Sequence, residues 1–70
     1  SFIFTATGGE TVVTQADDST PVSYTVGFEN VYKNSVRVIR GEEYTADTGS
    51  SITFTSTLDV NDVVEIVALP

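Results

Sequence analysis

Apolar and polar positions alternate along most of this chain, and no stretch sustains the 3.6-residue apolar period of an amphipathic helix. Ser1–Thr7 carries Phe2, Phe4 and Ala6 at period two, with Ile3 and Thr5 between them. That pattern predicts a strand, ended by the paired glycines Gly8-Gly9. Thr11–Gln15 is a second β-prone run. Asp17-Asp18-Ser19-Thr20-Pro21 is loop chemistry, because Asp and Ser bond nearby backbone and Pro lacks a donor. It is expected to be the most exposed stretch. Val22–Val26 reads as extended, with Gly27 breaking or bulging it.

The best-defined signal is a hairpin, Phe28–Lys33 and Val36–Arg40 around Asn34-Ser35. Asn tolerates the left-handed conformation a two-residue turn needs, and Ser in second place suits it less well than Gly. A two-residue loop fixes the register. Lys33 faces Val36, Tyr32 faces Arg37, Val31 faces Val38 and Glu29 faces Arg40. One face then holds a Val31–Val38 contact beside a Glu29–Arg40 ion pair, and the other holds Tyr32 beside Arg37. Such cross-strand pairs contribute roughly 0.2–1 kcal/mol each. Gly41–Tyr44 predicts a turn or one helical turn, Tyr44–Ala46 a short returning strand, and Asp47–Ser50 a further turn. Ser51–Thr55 sets Ile52 and Phe54 on one face against Thr53 and Thr55 on the other. Leu58–Asp62 reads as loop, and Val63–Leu69 as a closing apolar strand with Glu65 its only charge. Strands at roughly 8–12-residue spacing with turns between them predict an all-β fold. The expectation is one small antiparallel β-sandwich module over residues 1–70, of about six to seven short strands and no substantial helix.

Composition supports strands and raises a stability problem. Eleven Val, eleven Thr and four Ile stand against two Leu and no Met. β-Branched side chains are stiff and suit a pleated sheet. A chain of 70 residues buries only about 60% of its unfolded surface, so its core is marginal. There is no Cys and no His, which removes disulfides and Cys/His metal sites as reinforcement. Association with another copy or with flanking domains is what remains. The start at Ser1 without Met reads as a piece of something larger. No signal-peptide pattern and no apolar run of roughly 20 residues is present. The net charge of −7 repels phosphate backbones and anionic lipid, so neither nucleic acid nor membrane is an expected partner.

Catalytic chemistry is thinly supplied. Nucleophilic catalysis needs a base beside the nucleophile, and the seven Ser have no His to serve them. Glu42/Glu43 and Asp59/Asp62 are the paired carboxylates. The first pair points apart in extended backbone, and the second sits in a turn where backbone amides are its natural partners. Neither has the scaffold for a walled sugar cleft. Asp59-Val60-Asn61-Asp62 lacks the Gly and distal Glu of a calcium loop, and Asp17-Asp18 could at most join a surface ion site. The expectation is no enzyme, no cofactor and no dedicated metal. Tyr24, Tyr32 and Tyr44 are candidate contact residues, with core or sheet-face packing as the stronger reading. Val63, Val64 and Ile66 join them as a candidate interface, because their apolar density suggests a core or a subunit contact.

Several segments resemble a known family. They are Phe4-Thr5-Ala6-Thr7, Tyr24–Asn34 with its Val31-Tyr32-Lys33-Asn34 hairpin, Gly41-Glu42-Glu43-Tyr44-Thr45-Ala46, Gly49–Phe54 and Asn61–Ala68. Together they resemble a β-rich repeat of tail-fibre and other virion appendage proteins of bacteriophages, over nearly the whole chain. Ser35 stands where the family usually has Gly, Asn61-Asp62 where it has Gly-Asp, and Glu10 where it often has Gln. The resemblance implies a sandwich-like structural module, often tandem and often in trimeric fibres, located in the virion and partnered by copies of itself and other virion proteins. Its motifs are structural, so no catalytic residue carries over. The alternative it leaves open is a receptor- or carbohydrate-binding tip facing a host surface.

Overall fold

The two ends of the chain, both rich in alternating apolar residues, meet in one sheet. The computed structural model describes every residue from Ser1 to Pro70. It has seven strands and no helix: β1 Phe2–Thr5, β2 Val12–Val13, β3 Glu29–Lys33, β4 Val36–Arg37, β5 Tyr44–Thr45, β6 Ile52–Phe54 and β7 Val63–Ala68. They form two antiparallel sheets, one ordered β1-β7-β3-β4 and the other β2-β6-β5. The expected all-β sandwich is therefore the fold.

The four-stranded sheet is built on β7. Its register sets Phe2 opposite Ile66, Phe4 opposite Val64, and Val31 opposite Ile66 on the other side. Directly opposed residues share a face, so these side chains form one apolar inner surface. Val31, Val64 and Ile66 are fully buried, and burying each stabilises by roughly 1.5–3 kcal/mol. The β3–β4 hairpin has the register its sequence predicts, Tyr32 opposite Arg37 and Lys33 opposite Val36. Asn34 and Ser35 both take positive φ, 52° and 71°. That makes the turn type I′, whose twist matches the strands.

β4 stops at Arg37 rather than Arg40. The Val38 amide still donates to the Val31 carbonyl at 2.9 Å. Beyond it, the Ile39 carbonyl accepts the amides of Glu42 and Glu43 at 3.2 and 3.0 Å, and the Ile39 amide donates to Glu43 Oε1 at 3.2 Å. This single helical-type turn removes Ile39 from the ladder and swings the chain into the three-stranded sheet.

That second sheet pairs Val13 with Ile52 and Tyr44 with Phe54 across its inner face. Val22–Val26, expected to be extended, forms no strand. Its residues keep the alternation, with Val22 and Tyr24 buried and Ser23 and Thr25 exposed. Its amides, however, go to different neighbours. Val22 donates to Thr14 at 3.0 Å and Tyr24 to Gly49 at 2.9 Å. A segment that stitches two places together makes no continuous ladder. Side chains from both sheets, with Val22, Tyr24, Ala46 and Leu58 from the connections, make one core of thirteen buried residues.

Candidate functional site

The densest chemistry in the molecule is a buried carboxylate at the end of β3. The Glu29 side chain is fully buried, while that of Arg40 is 43% exposed. Arg40 Nε donates to Glu29 Oε2 at 2.9 Å and Nη2 donates to Oε1 at 3.1 Å, a two-point pairing of the planar guanidinium. The Tyr44 hydroxyl donates to the same Oε2 at 2.9 Å. Glu29 lies on β3, Arg40 on the turn beyond β4 and Tyr44 on β5, so the cluster ties the two sheets together. Burial pushes the Tyr44 hydroxyl above its ordinary value, and the Glu29 carboxylate that accepts its proton pushes it further. Glu29 raises Arg40 in turn. Both carboxylate oxygens are occupied and the phenol holds its proton firmly. The cluster therefore acts as a clamp, without a free base or a ready acid to offer a substrate.

Four carboxylates nearer the surface hold backbone. Glu10 accepts the amides of Thr7 and Gly8 at 2.8 and 2.7 Å. Those bonds, with the Thr7 amide foremost, lower it from 4.5 to about 2. Asp17 accepts the Thr5 amide at 2.9 Å and the Thr5 hydroxyl at 2.7 Å, which occupies part of the outer edge of β1. Asp18 accepts the Thr20 amide, which lowers it below the usual range. Asp62 accepts from Asn34 Nδ2 at 2.9 Å and from the Asp59 amide at 2.8 Å, and is lowered by those two bonds first and by Lys33 after them. Asn34 Oδ1 meanwhile accepts the Val63 amide at 2.9 Å. Asp62 and Asn34 thus lock the type I′ turn to the start of β7. No three carboxylates converge on a common point. Asp17-Asp18 and Asp59/Asp62, the candidates for a surface ion, serve turns instead.

The chain matches no family model, no curated protein and no solved structure.

The candidate interface residues divide. Val64, Ile66, Tyr24 and Tyr44 are buried in the core of the chain itself. Tyr24 donates its hydroxyl to the Ser51 carbonyl at 2.6 Å, and Tyr44 packs its ring at 52° to Phe54. Val63 is 40% exposed, and Tyr32 is half-buried on the other face of the same sheet. The three tyrosines therefore form no shared surface. Alternation predicts this for Val64 and Ile66, which share a parity that Val63 lacks. For Tyr24 the alternation with Val22 predicts it too, whereas nothing local predicts the inward turn of Tyr44. Its only signal is that a buried tyrosine needs a partner for its hydroxyl. Two shallow depressions complete the surface. One of about 240 Å³ lies between Phe2 and Asp17-Asp18, and one of about 130 Å³ lies between Lys33, Phe54 and Thr55.

Proposed function

We propose that this chain is a structural module of a virion appendage, a tail fibre or a capsid fibre or decoration domain, and that it works by protein–protein assembly. One observation carries the non-catalytic part of this reading: six of the ten carboxylates, the buried one included, are engaged in holding the fold. Glu29 is held by Arg40 and Tyr44, and Glu10, Asp17, Asp18, Glu43 and Asp62 are bound to amides. A module specialised in this way supplies shape and contact surface. The phage assignment rests on the resemblance of its hairpin, Gly-acid-Tyr turn and closing strand to appendage repeats.

The receptor- or carbohydrate-binding alternative needs an exposed aromatic platform. Two of the three tyrosines are withdrawn from such a role into the core, which favours the assembly reading. Antibody or gold labelling of the chain on phage particles, imaged by electron microscopy, tests it. Labels at regular positions along a tail or capsid appendage are expected. Label confined to the distal tip, together with glycan binding that Tyr32→Ala abolishes, would favour the alternative. Absence from particles would overturn both.

A further inference from the structure

We infer that the outer face of the four-stranded sheet is a self-association surface that takes a second copy of this chain across a two-fold axis. This inference rests on the assembly reading and names the surface it uses. The ladder register places Ile3, Val63, Val67 and Tyr32 on the side of the sheet facing away from the core, with Thr5, Asn30, Glu65 and Arg37 among them. Ile3 and Val63 are 41% and 40% exposed, and Val67 and Tyr32 are half-buried. An outer sheet face usually alternates polar against the apolar interior. Here β7 presents valine on both sides of Glu65.

The charges identify the occupant. Of ten acidic residues, Glu65 alone is carried by the strands of this face, with Asp17 bonded to Thr5 at its β1 rim. Glu29 points inward, and the rest lie outside the strands. Of three basic residues, Lys33 pairs with Asp62 and Arg40 with Glu29. Arg37 and Glu65 have no ionic partner within the chain. They sit on the strands flanking β3, in one row across the sheet, with Tyr32 between them. A two-fold axis parallel to β3, lying between two facing sheets, exchanges β7 and β4. It sets Glu65 of one copy over Arg37 of the other, twice, and Tyr32 over Tyr32. The face is self-complementary, as an isologous contact must be.

The size sets the strength. The axis along β3 overlaps β7, β3 and β4 and leaves β1 beyond the partner's edge, so three strands about 4.8 Å apart and up to six residues at about 3.4 Å each give a footprint of at most about 300 Å². That is under a tenth of the 4072 Å² accessible surface. Two faces bury at most about 600 Å², well below a standard interface, so the free dimer is weak and reversible. Tethering on an assembly raises the effective concentration and makes so small a contact sufficient.

Sedimentation of the chain from about 10 µM to about 1 mM tests this, with circular dichroism to verify that each variant stays folded. A monomer–dimer equilibrium is expected. Glu65→Arg and Arg37→Glu should each weaken it about tenfold or more, and the double variant should restore it. Ile3→Lys, on the strand that this axis leaves beyond the partner's edge, should leave it unchanged. If the chain dimerises but the swaps leave the constant unchanged, or if it sediments as a trimer, this face and axis are wrong while assembly survives. If it remains a monomer throughout, the surface is no self-association site and the assembly reading loses its nearest support.

Discussion

The two sheets are alike on the side they bury and unlike on the side they show. Inward, both present β-branched and aromatic residues, Val31, Val64 and Ile66 from one and Val13, Ile52 and Phe54 from the other. Outward, the three-stranded sheet presents the row Val12–Thr53–Thr45, short and mostly hydroxylated. The four-stranded sheet presents Ile3–Glu65–Tyr32–Arg37, flanked by Val63 and Val67. One outer face is short and uncharged, and the other is larger and sets valines and a tyrosine among Thr5, Asn30 and two opposite charges. The sheets also differ in what holds them. β7 runs six residues between two partners, whereas β2 and β5 have two residues each. The smaller sheet depends on the clamp at Glu29 and on connections that bring Leu58, Val22 and Tyr24 beneath it.

The largest effect separates core from surface on a single strand. Val64→Asp or Ile66→Asp places an unpaired charge where no atom reaches water, and should cost several kcal/mol. Val63→Asp, one residue away on the outer face, should cost under about 1 kcal/mol. Denaturant titration measures both, and equal costs would erase the distinction between the faces. Next is the clamp between the sheets. Arg40→Ala leaves the buried Glu29 carboxylate with Tyr44 alone, and stranding a buried charge in this way should cost about 3 kcal/mol. A loss under about 0.5 kcal/mol would mean that water replaces the guanidinium freely.

Gly49 probes the stitching segment. Its φ is +80°, and a Cβ there would lie 3.0 Å from the Tyr24 carbonyl oxygen. Gly49→Ala should cost about 2 kcal/mol and loosen the Tyr24 side of the core first. Equilibrium unfolding at neutral pH reads it. Acid acts on the turns. Glu10 titrates at about 2 in the folded chain, against an ordinary value of 4.5 once its amide partners are lost, so the unfolded chain takes up the proton first. Stability should be level above about pH 5 and fall as pH drops from 4.5 toward 2. Asp18 and Asp62 are shifted in the same direction. Glu10→Gln should shallow that decline, and an unchanged acid limb would assign it elsewhere. The smallest effect is a gain. Ser35 holds φ +71° in a type I′ turn, where Gly meets no steric penalty, so Ser35→Gly should stabilise by about 0.5 kcal/mol.

The parts of this molecule legible in its sequence are those fixed by neighbours along the chain. Asn34-Ser35 sets a two-residue loop, and the loop sets the Tyr32–Arg37 register; the expected Glu29–Arg40 ion pair forms as well, but from the turn beyond β4 rather than across the ladder. Strict alternation places Ile52 and Phe54, and Phe2 and Phe4, on inward faces. What resists reading is fixed by distant backbone. Val22–Val26 has strand composition, yet its amides are bonded by Thr14 and Gly49, which no local pattern announces. Leu58 lies in a loop but is 1% exposed. Its one signal is that it stands alone among Ser, Thr and Asp. The Glu29 clamp is half legible, since the expected ion pair supplies Arg40 while Tyr44 arrives from the second sheet. Apolar density points to β7 as an interface, but it cannot tell the two faces of that strand apart. The parity of Phe2, Phe4 and Val31 decides which side is covered.

The most direct measurement of the contrast between the two outer faces is the melting temperature of the 70-residue chain as a function of its concentration. Self-association through the four-stranded sheet stabilises the folded state by mass action. The melting temperature should therefore rise with concentration in the unaltered chain, rise equally in Thr53→Lys, and become independent of concentration in Val67→Lys. A melting temperature that is constant for all three, or one whose concentration dependence is lost in Thr53→Lys and kept in Val67→Lys, would contradict it.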